Sequence, residues 1–129
     1  MDLLLEVEVH LTGAEKVQGK RREIVMLPFT GEARGPYFQG RVVGTGVDTQ
    51  KIAPGSFSLS ARYMLEGVDC DGRQCRIFVE NNGPSLDDLT PMVVTDSPAL
   101  QRWEDLQLKS VVTPTEECVW VRIYREEQA

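Results

Sequence analysis

The stretch GVDTQKIAPGSFSLSARYMLEGVDCDG, residues 46 to 72, decides the fold because its second half alternates apolar and polar residues. The apolar residues that can share one face are Phe57, Leu59, Ala61, Tyr63 and Leu65. Successive side chains of a β-strand point to opposite sides, so this period of two predicts a strand with one buried face. Asp71-Gly72 is typical of a hairpin turn, and a second alternating strand is expected over residues 74 to 81.

Short strands and turns account for most of the remaining sequence. Alternation predicts a first strand near residues 3 to 11 and a last one near residues 119 to 124. The apolar run from Ile24 to Phe29 is expected to be a buried strand that ends near Pro28. About eight strands and repeated glycines indicate an all-β protein that closes into an antiparallel barrel, since tight curvature needs such bends. We predict one barrel domain over residues 1–129, with an architecture like that of lipocalins and allene oxide cyclases.

One short helix is expected near residues 97–107. Ser97 is a suitable N-cap, and Pro98 suits the first helical position because it has no N–H to leave unbonded. Leu100 and Trp103 are three residues apart and can share the face of this helix that turns toward the barrel.

Composition and charge limit the possible partners. The chain carries 20 acidic and 14 basic residues, a net charge of −6. An acidic domain without a basic run offers nothing to attract nucleic acid or an anionic membrane, so neither is expected as a partner. No apolar run approaches the ~20 residues of a membrane helix. The N-terminus lacks the basic lead-in and cleavage site of a signal peptide, and a cytoplasmic location is therefore expected.

Neither a metal site nor a cofactor site is predicted. The three cysteines, Cys70, Cys75 and Cys118, are an odd number and do not suggest a disulfide framework. His10 is the single histidine, and the spacing of Cys70 and Cys75 is looser than that of zinc motifs. The glycines near residues 44 to 46 lack the third glycine and the helix of a dinucleotide-binding loop.

Asp48 and Arg62 are the charged residues of greatest interest. An unpaired charge on a central barrel strand is costly to bury, and a carboxylate can pair with a guanidinium through two hydrogen bonds. Three interpretations stay open: a structural Asp48–Arg62 pair, an Arg62 that faces the lumen and holds a ligand with Asp48 orienting it, and a surface arginine. Alternation places Tyr63 on the opposite face from Arg62, where it is expected to contribute to the core.

Trp120 and Tyr124 lie on the same side of the last predicted strand. If the barrel contains a cavity, these two residues could form its aromatic wall, and they are candidate ligand-binding residues together with Asp48 and Arg62. If they are exposed together with Arg122, they could instead form a subunit interface, where such residues are enriched. A homo-oligomer is therefore a further expectation.

A series of short motifs occurs in order between residues 31 and 83. The motif residues are Gly35, Pro36 and Gly40; Gly46 and Asp48; Ala61, Arg62 and Tyr63; Asp71 and Gly72; and Asn81 to Gly83. In these motifs the chain resembles the domain-of-unknown-function 3237 family, small single-domain proteins of bacteria and fungi. The resemblance implies an antiparallel β-barrel and a family without a settled biochemical role. That family tends to have tryptophan at the position of Thr49. Because this chain lacks the tryptophan, a pocket near Asp48 would have fewer aromatic residues in its wall.

Three hypotheses about function follow from the predicted barrel. A barrel of about eight strands can hold one small ligand, so the first is a protein that binds a small apolar or anionic molecule in its lumen. The second is a cofactor-free isomerase, cyclase or lyase that uses the same lumen, because a pocket without water shifts the pKa values of carboxylic acids toward neutral pH. The third is a structural homo-oligomer. A lumen with convergent polar groups would favour the first two, and a filled interior would favour the third.

Overall fold

Ten strands and one 3₁₀ helix make up the structure, which is a computed structural model that describes residues 2–126. The strands are β1 (Asp2–Leu11), β2 (Glu15–Gln18), β3 (Glu23–Arg34), β4 (Phe38–Val42), β5 (Gly46–Ala53), β6 (Ser56–Asp69), β7 (Gln74–Ser85), β8 (Asp88–Thr95), β9 (Leu108–Pro114) and β10 (Val119–Arg125). The 3₁₀ helix covers Gln101–Asp105, between β8 and β9. Among the described residues, no helix has the length and apolar character needed to cross a membrane.

The strands close into one antiparallel barrel. β1 pairs with β10 on one side and with β3 on the other, so the sheet has no free end at this point. β4 and β5 occupy successive parts of one position in the ring, because both pair with β3 on one side and with β6 on the other. On the other edge of β3, β2 pairs with residues 23–26 and β1 pairs with residues 29–34. Eight strands form the ring and two are additional, which confirms the predicted barrel.

The 3₁₀ helix closes one end of the barrel. Leu100 and Trp103 are 0% and 2% exposed, and both belong to the same apolar core as the inward-facing residues of the strands. Tyr37 contacts Trp103 edge to face, with their ring centroids 6.0 Å apart. The opposite end, where the β7–β8 and β9–β10 turns lie, has no such cover among residues 2–126. The interior is therefore filled at one end and accessible at the other.

The predicted helix over residues 97–107 is present only as this single 3₁₀ segment. The N-cap of this helix is Leu100 and not Ser97, whose Oγ donates a hydrogen bond of 2.7 Å to Oδ2 of the buried Asp69. The segment is short because residues 97 to 100 form a turn instead, in which Leu100 N–H donates to Ser97 O over 3.0 Å.

Two details of the strands differ from the alternation expected. In β1 the register shifts between Leu3 and Leu5, so that Leu4 and Leu5 are both buried. A β-bulge of this kind places two successive residues against one partner residue. β3 also continues through Pro28, because residues 23–26 pair with β2 and residues 29–34 pair with β1. The missing N–H of the proline falls at the break between these two partners.

Candidate functional site

A cavity of about 250 Å³ occupies the open end of the barrel. Most of its wall is apolar, and the buried side chains that line it include Val9, Phe29, Leu59, Leu89 and Val121. Exposed apolar residues form its rim, including Leu11, the last residue of β1, and Leu86, which lies in the turn between β7 and β8. The cavity is thus an apolar chamber that opens toward solvent between turns of the barrel.

Gly46 makes room for the aromatic wall of this cavity. The residue lies on β5 opposite Phe29 of β3. A Cβ atom at Gly46 would lie 2.5 Å from Cζ of Phe29 and 2.8 Å from Cβ of Tyr63, closer than such atoms approach in proteins. Phe29 and Tyr63 contact each other edge to face, with ring centroids 5.5 Å apart. The glycine therefore allows both rings to occupy the space inside β5.

Asp48, Tyr63 and Asn81 bring polar groups into the apolar chamber. Asp48 on β5 and Asn81 on β7 both lie opposite Ala61 of β6, so the three residues form one row on the inner surface. Tyr63 lies two positions further along β6, on the same face. The pairing of three neighbouring strands thus places a carboxyl, an amide and a phenol on one side of the cavity.

Each of these three residues has a polar atom without a hydrogen-bond partner. Among residues 2–126, Oδ1 of Asp48, the hydroxyl of Tyr63 and Oδ1 of Asn81 are buried and unpaired. Their other polar atoms are held in place: Gln50 Nε2 donates to Asp48 Oδ2 over 3.0 Å, and Asn81 Nδ2 donates to Ser110 Oγ over 2.9 Å. Buried polar atoms in native proteins are nearly always hydrogen-bonded. The cavity therefore presents hydrogen-bonding capacity that a ligand or water can satisfy.

Burial sets the protonation of the two titratable groups in the cavity. Desolvation raises the pKa of the Asp48 carboxyl above its ordinary value, and the hydrogen bond from Gln50 opposes this increase only in part. Desolvation also raises the pKa of the Tyr63 phenol, which stays neutral and able to donate a hydrogen bond. A carboxyl with a raised pKa can accept and return a proton, and the neutral phenol in the same cavity can donate a hydrogen bond to a bound molecule.

Two of the three interpretations of Arg62 are wrong, because this residue neither faces the lumen nor pairs with Asp48; the third, a surface arginine, describes its position. Arg62 lies opposite Val47 of β5 and Glu80 of β7, in a row that faces outward. Its Nε lies 2.7 Å from Oε2 of Glu80, and 67% of its side chain is exposed. The physical reason is the alternation of β5: Asp48 faces the cavity, so its neighbour Val47, which is opposite Arg62, faces out.

The predicted aromatic wall of Trp120 and Tyr124 is also wrong, because both residues lie on the outer surface of β10. The buried residues of this strand are Val121 and Ile123, whose side chains point inward. The Trp120 ring is flanked by the guanidinium groups of Arg34 and Arg122, whose Cζ atoms lie 5.8 and 5.6 Å from the ring centroid. Of the four residues predicted to bind a ligand, only Asp48 lies in the cavity, and its binding role stays a prediction.

Asn81 and Gln50 lie in the cavity and were not predicted as site residues. Asn81 continues the alternating set of β7 after Cys75, Ile77 and Val79, all of which are buried. The signal in the sequence that could have identified Asn81 is a polar residue two positions after Val79, on the same buried face of β7. Gln50 follows Asp48 by two positions on β5 and shares its face for the same reason.

His10 and the cysteines do not contribute to this cavity. His10 is exposed on the outer surface, where its Nε2 lies 2.9 Å from Oε2 of Glu8. Cys70, Cys75 and Cys118 are free thiols. Within the described range, no three His, Cys, Asp or Glu side chains are arranged to hold a metal ion.

Comparison with known proteins identifies the family and supports the fold. The family model described as "Protein of unknown function (DUF3237)" matches residues 1–113. A UPF0311 protein of Clostridium acetobutylicum is 38% identical over 74 residues, which are 57% of this chain and 43% of that protein. The chain thus spans less than half the length of this relative.

Three solved structures share the barrel. A Clostridium acetobutylicum protein of unknown function superposes with a TM-score of 0.81 at 21% identity, covering 98% of both chains. A β-barrel-like protein of Acinetobacter baumannii gives 0.77 at 17% identity, over 96% of this chain and 93% of that one. An enzyme of Penicillium herquei gives 0.73 at 16% identity, over 95% and 92%. These structures are similar in fold, and with the family match over most of its length the chain belongs to the DUF3237 family.

Proposed function

We propose that this protein binds a small, neutral, mainly apolar molecule that carries at least one hydrogen-bond donor. The observation that supports this proposal is the set of three unpaired buried polar atoms in one apolar cavity. Two of them, Oδ1 of Asp48 and Oδ1 of Asn81, are acceptors, and the Tyr63 hydroxyl can donate or accept. A ligand with a hydroxyl or N–H group satisfies atoms that otherwise lose hydrogen bonds on burial.

The charges of the cavity argue against the anionic ligand that the sequence left open. Asp48 is the charged group in the lining, and no basic side chain of residues 2–126 lines this cavity. An anion would meet a carboxylate across an apolar interior where charge repulsion is poorly screened. The volume of about 250 Å³ suits a compact molecule, since an engineered cavity of about 150 Å³ accommodates benzene.

A matched series of probes tests this proposal. The three probes naphthalene, 1-naphthol and 1-naphthoate share one ring system. Naphthalene has no hydrogen-bond donor, 1-naphthol carries a hydroxyl donor, and 1-naphthoate carries a negative charge. We expect titration calorimetry to show that 1-naphthol binds about three- to tenfold more tightly than naphthalene, the range of one hydrogen bond, and that 1-naphthoate binds most weakly. Tightest binding of 1-naphthoate would overturn the proposed neutral ligand.

Two variants of β6 establish where the probe binds. Ala61 lines the cavity between Asp48 and Asn81, and Ala61→Met should fill the cavity and abolish 1-naphthol binding. Ser58 lies on the same strand and is exposed on the outer surface, so Ser58→Met is the matched control and should bind as the original chain does. Mass spectrometry of small molecules extracted from the natively purified protein then identifies the natural ligand.

A second candidate function is a cofactor-free isomerase, cyclase or lyase. The raised pKa of Asp48 supports it, because a carboxyl with a pKa nearer neutrality can both accept and return a proton. A solved structure with the same fold is described as an enzyme of Penicillium herquei. The test uses the extracted compound: Asp48→Asn should bind it and leave it unchanged, whereas the original chain should convert it. An unchanged compound with the original chain would leave binding as the function.

A further inference from the structure

The outer surface of β6 and β7 carries an apolar row between two charged rows. Met64 of β6 lies opposite Phe78 of β7, and Phe78 lies opposite Val94 of β8. Val43 extends this row beyond β6, because its N–H donates to Met64 O over 2.7 Å. Val94 is 49% exposed and Val43 is 37% exposed, while Met64 and Phe78 are half-buried. We call this surface, with its flanking charges, the β6–β7 face.

An ion pair flanks the apolar row on each side, and the two pairs have opposite orientations. On one side Arg62 of β6 pairs with Glu80 of β7, with Nε and Oε2 separated by 2.7 Å. On the other side Glu66 of β6 pairs with Arg76 of β7, also at 2.7 Å. Each strand of the β6–β7 face therefore carries one arginine and one glutamate at equivalent distances from its apolar centre.

This arrangement is complementary to a second copy of itself. Consider a two-fold axis that lies in the plane of the interface. It runs parallel to the strands and midway between β6 and β7. Rotation about this axis places β6 of one copy over β7 of the other. Arg62 of one copy then meets Glu80 of the second, and Glu66 meets Arg76. The same rotation places Met64 on Phe78 and Val43 on Val94, so apolar groups meet apolar groups and every charge meets its opposite.

We propose that the β6–β7 face is the interface of a two-fold symmetric homodimer of this chain. Its apolar centre and charged rim follow the usual composition of protein interfaces. Self-complementary charge is the argument for a second copy as the partner, because an unrelated protein would need to carry the same pattern of four alternating charges. Trp120 is less suited to this role, since guanidinium groups of its own chain lie beside its ring. The dimer leaves the mouth of the barrel cavity accessible, because the rim residues Leu11 and Leu86 lie outside the face.

Sedimentation equilibrium of the full chain measures the association. We expect a mass of twice the 14.5 kDa chain, and Met64→Asp, which places a charge at the centre of the interface, should raise the dimer dissociation constant at least about 30-fold. Val111→Asp is the matched control, since Val111 is an exposed apolar residue on β9 outside the β6–β7 face, and it should dimerise normally. A monomeric original chain, or a dimer that resists Met64→Asp, would overturn the proposal.

A charge exchange tests the symmetry of the dimer. In the Arg62→Glu variant, the new glutamate of each copy faces Glu80 of the other copy, so two glutamate pairs form across the interface. This variant should weaken the dimer at least about tenfold. Arg62→Glu combined with Glu80→Arg restores the opposite charges within each chain and between two identical copies, so this double variant should dimerise again. The double variant should not form mixed dimers with the original chain. In a mixed dimer, residue 62 of each chain would face residue 80 of the other, so one of these contacts would join two glutamates and the other would join two arginines. Native mass spectrometry of an equimolar mixture distinguishes these results, and free mixing of the two chains would refute the proposed axis.

Discussion

Gln50 donates a hydrogen bond of 3.0 Å from Nε2 to Oδ2 of Asp48, and this contact orients the carboxyl group of Asp48 in the cavity wall. The second oxygen of Asp48 is buried without a partner among residues 2–126. Burial is the larger influence on the pKa of this carboxyl and raises it, whereas the bond from Gln50 lowers it. An acid whose pKa is higher in the folded state than in the unfolded state destabilises the fold when it is ionised.

Asp48→Asn should therefore stabilise the protein at neutral pH. The amide can still accept the hydrogen bond of Gln50, and it removes a charge from an apolar surrounding. The gain in the free energy of unfolding should be no more than about 1 kcal/mol, because Asp48 is only half-buried and solvent screens its charge. The gain should shrink as the pH falls through the raised folded-state pKa, and it should be lost below the ordinary value of 3.8, where the original carboxyl is protonated in both states. Urea unfolding at several pH values measures this difference, and a variant that is less stable at neutral pH would contradict it.

The positions of Asp48 and Arg62 could have been predicted more fully from two turns. Pairs in the β5–β6 hairpin are symmetric about Pro54-Gly55, which places Asp48 opposite Ala61. Pairs in the β6–β7 hairpin are symmetric about Asp71, which places Arg62 opposite Glu80. Both turns are visible in the sequence, so counting outward from them identifies the outward ion pair and the inward carboxyl. Alternation alone places Tyr63 and Arg62 on opposite faces of β6, but it does not identify their partner residues on β5 and β7.

Other features depend on contacts that local sequence does not determine. The last strand alternates Val121 with Trp120 and Arg122, and either face could have been buried by its hydrophobicity. The register of β10 against β1, which turns Val121 inward, joins residues more than 100 positions apart. The depth of the cavity likewise depends on how eight strands close and on the 3₁₀ helix that fills one end. The fold class therefore follows from the strand pattern, whereas the lining of the cavity requires the closed barrel.

Asp69 should stabilise the protein most strongly above its ordinary pKa. Although this residue is only 5% exposed, the hydrogen bond from Ser97 and those from the backbone N–H groups of Arg73 and Asp71 lower its pKa below 3.8. An acid with a lowered folded-state pKa contributes stability above its unfolded pKa and loses it as the pH falls through the folded value. Asp69→Asn should lower the melting temperature at neutral pH, and the difference from the original chain should shrink in acid. Asp71→Asn, at an exposed position of the same turn, is the control and should show little change.

Gly46→Ala should destabilise the barrel because the added methyl group has no space. It would lie 2.5 Å from the Phe29 ring and 2.8 Å from Cβ of Tyr63. Overpacking of this kind typically costs about 1–3 kcal/mol. Gly13→Ala is a matched control, because the nearest atom to its added Cβ is Cγ of Pro28 at an ordinary contact distance of 3.5 Å. Chemical denaturation of both variants measures the effect, and equal stabilities would mean that the two rings can move aside.

Trp103 should stabilise the closed end of the barrel through its volume and not through its N–H group. The side chain is 2% exposed and lies in the main core, and its Nε1 is buried without a partner among residues 2–126. Trp103→Ala should lower the free energy of unfolding by about 3–5 kcal/mol, the usual cost of removing a large buried aromatic side chain. Trp103→Phe keeps an aromatic ring against Tyr37 and removes the unpaired donor, so the loss should be much smaller. Urea unfolding of the two variants compares these contributions directly. A Trp103→Phe variant as unstable as Trp103→Ala would contradict this prediction.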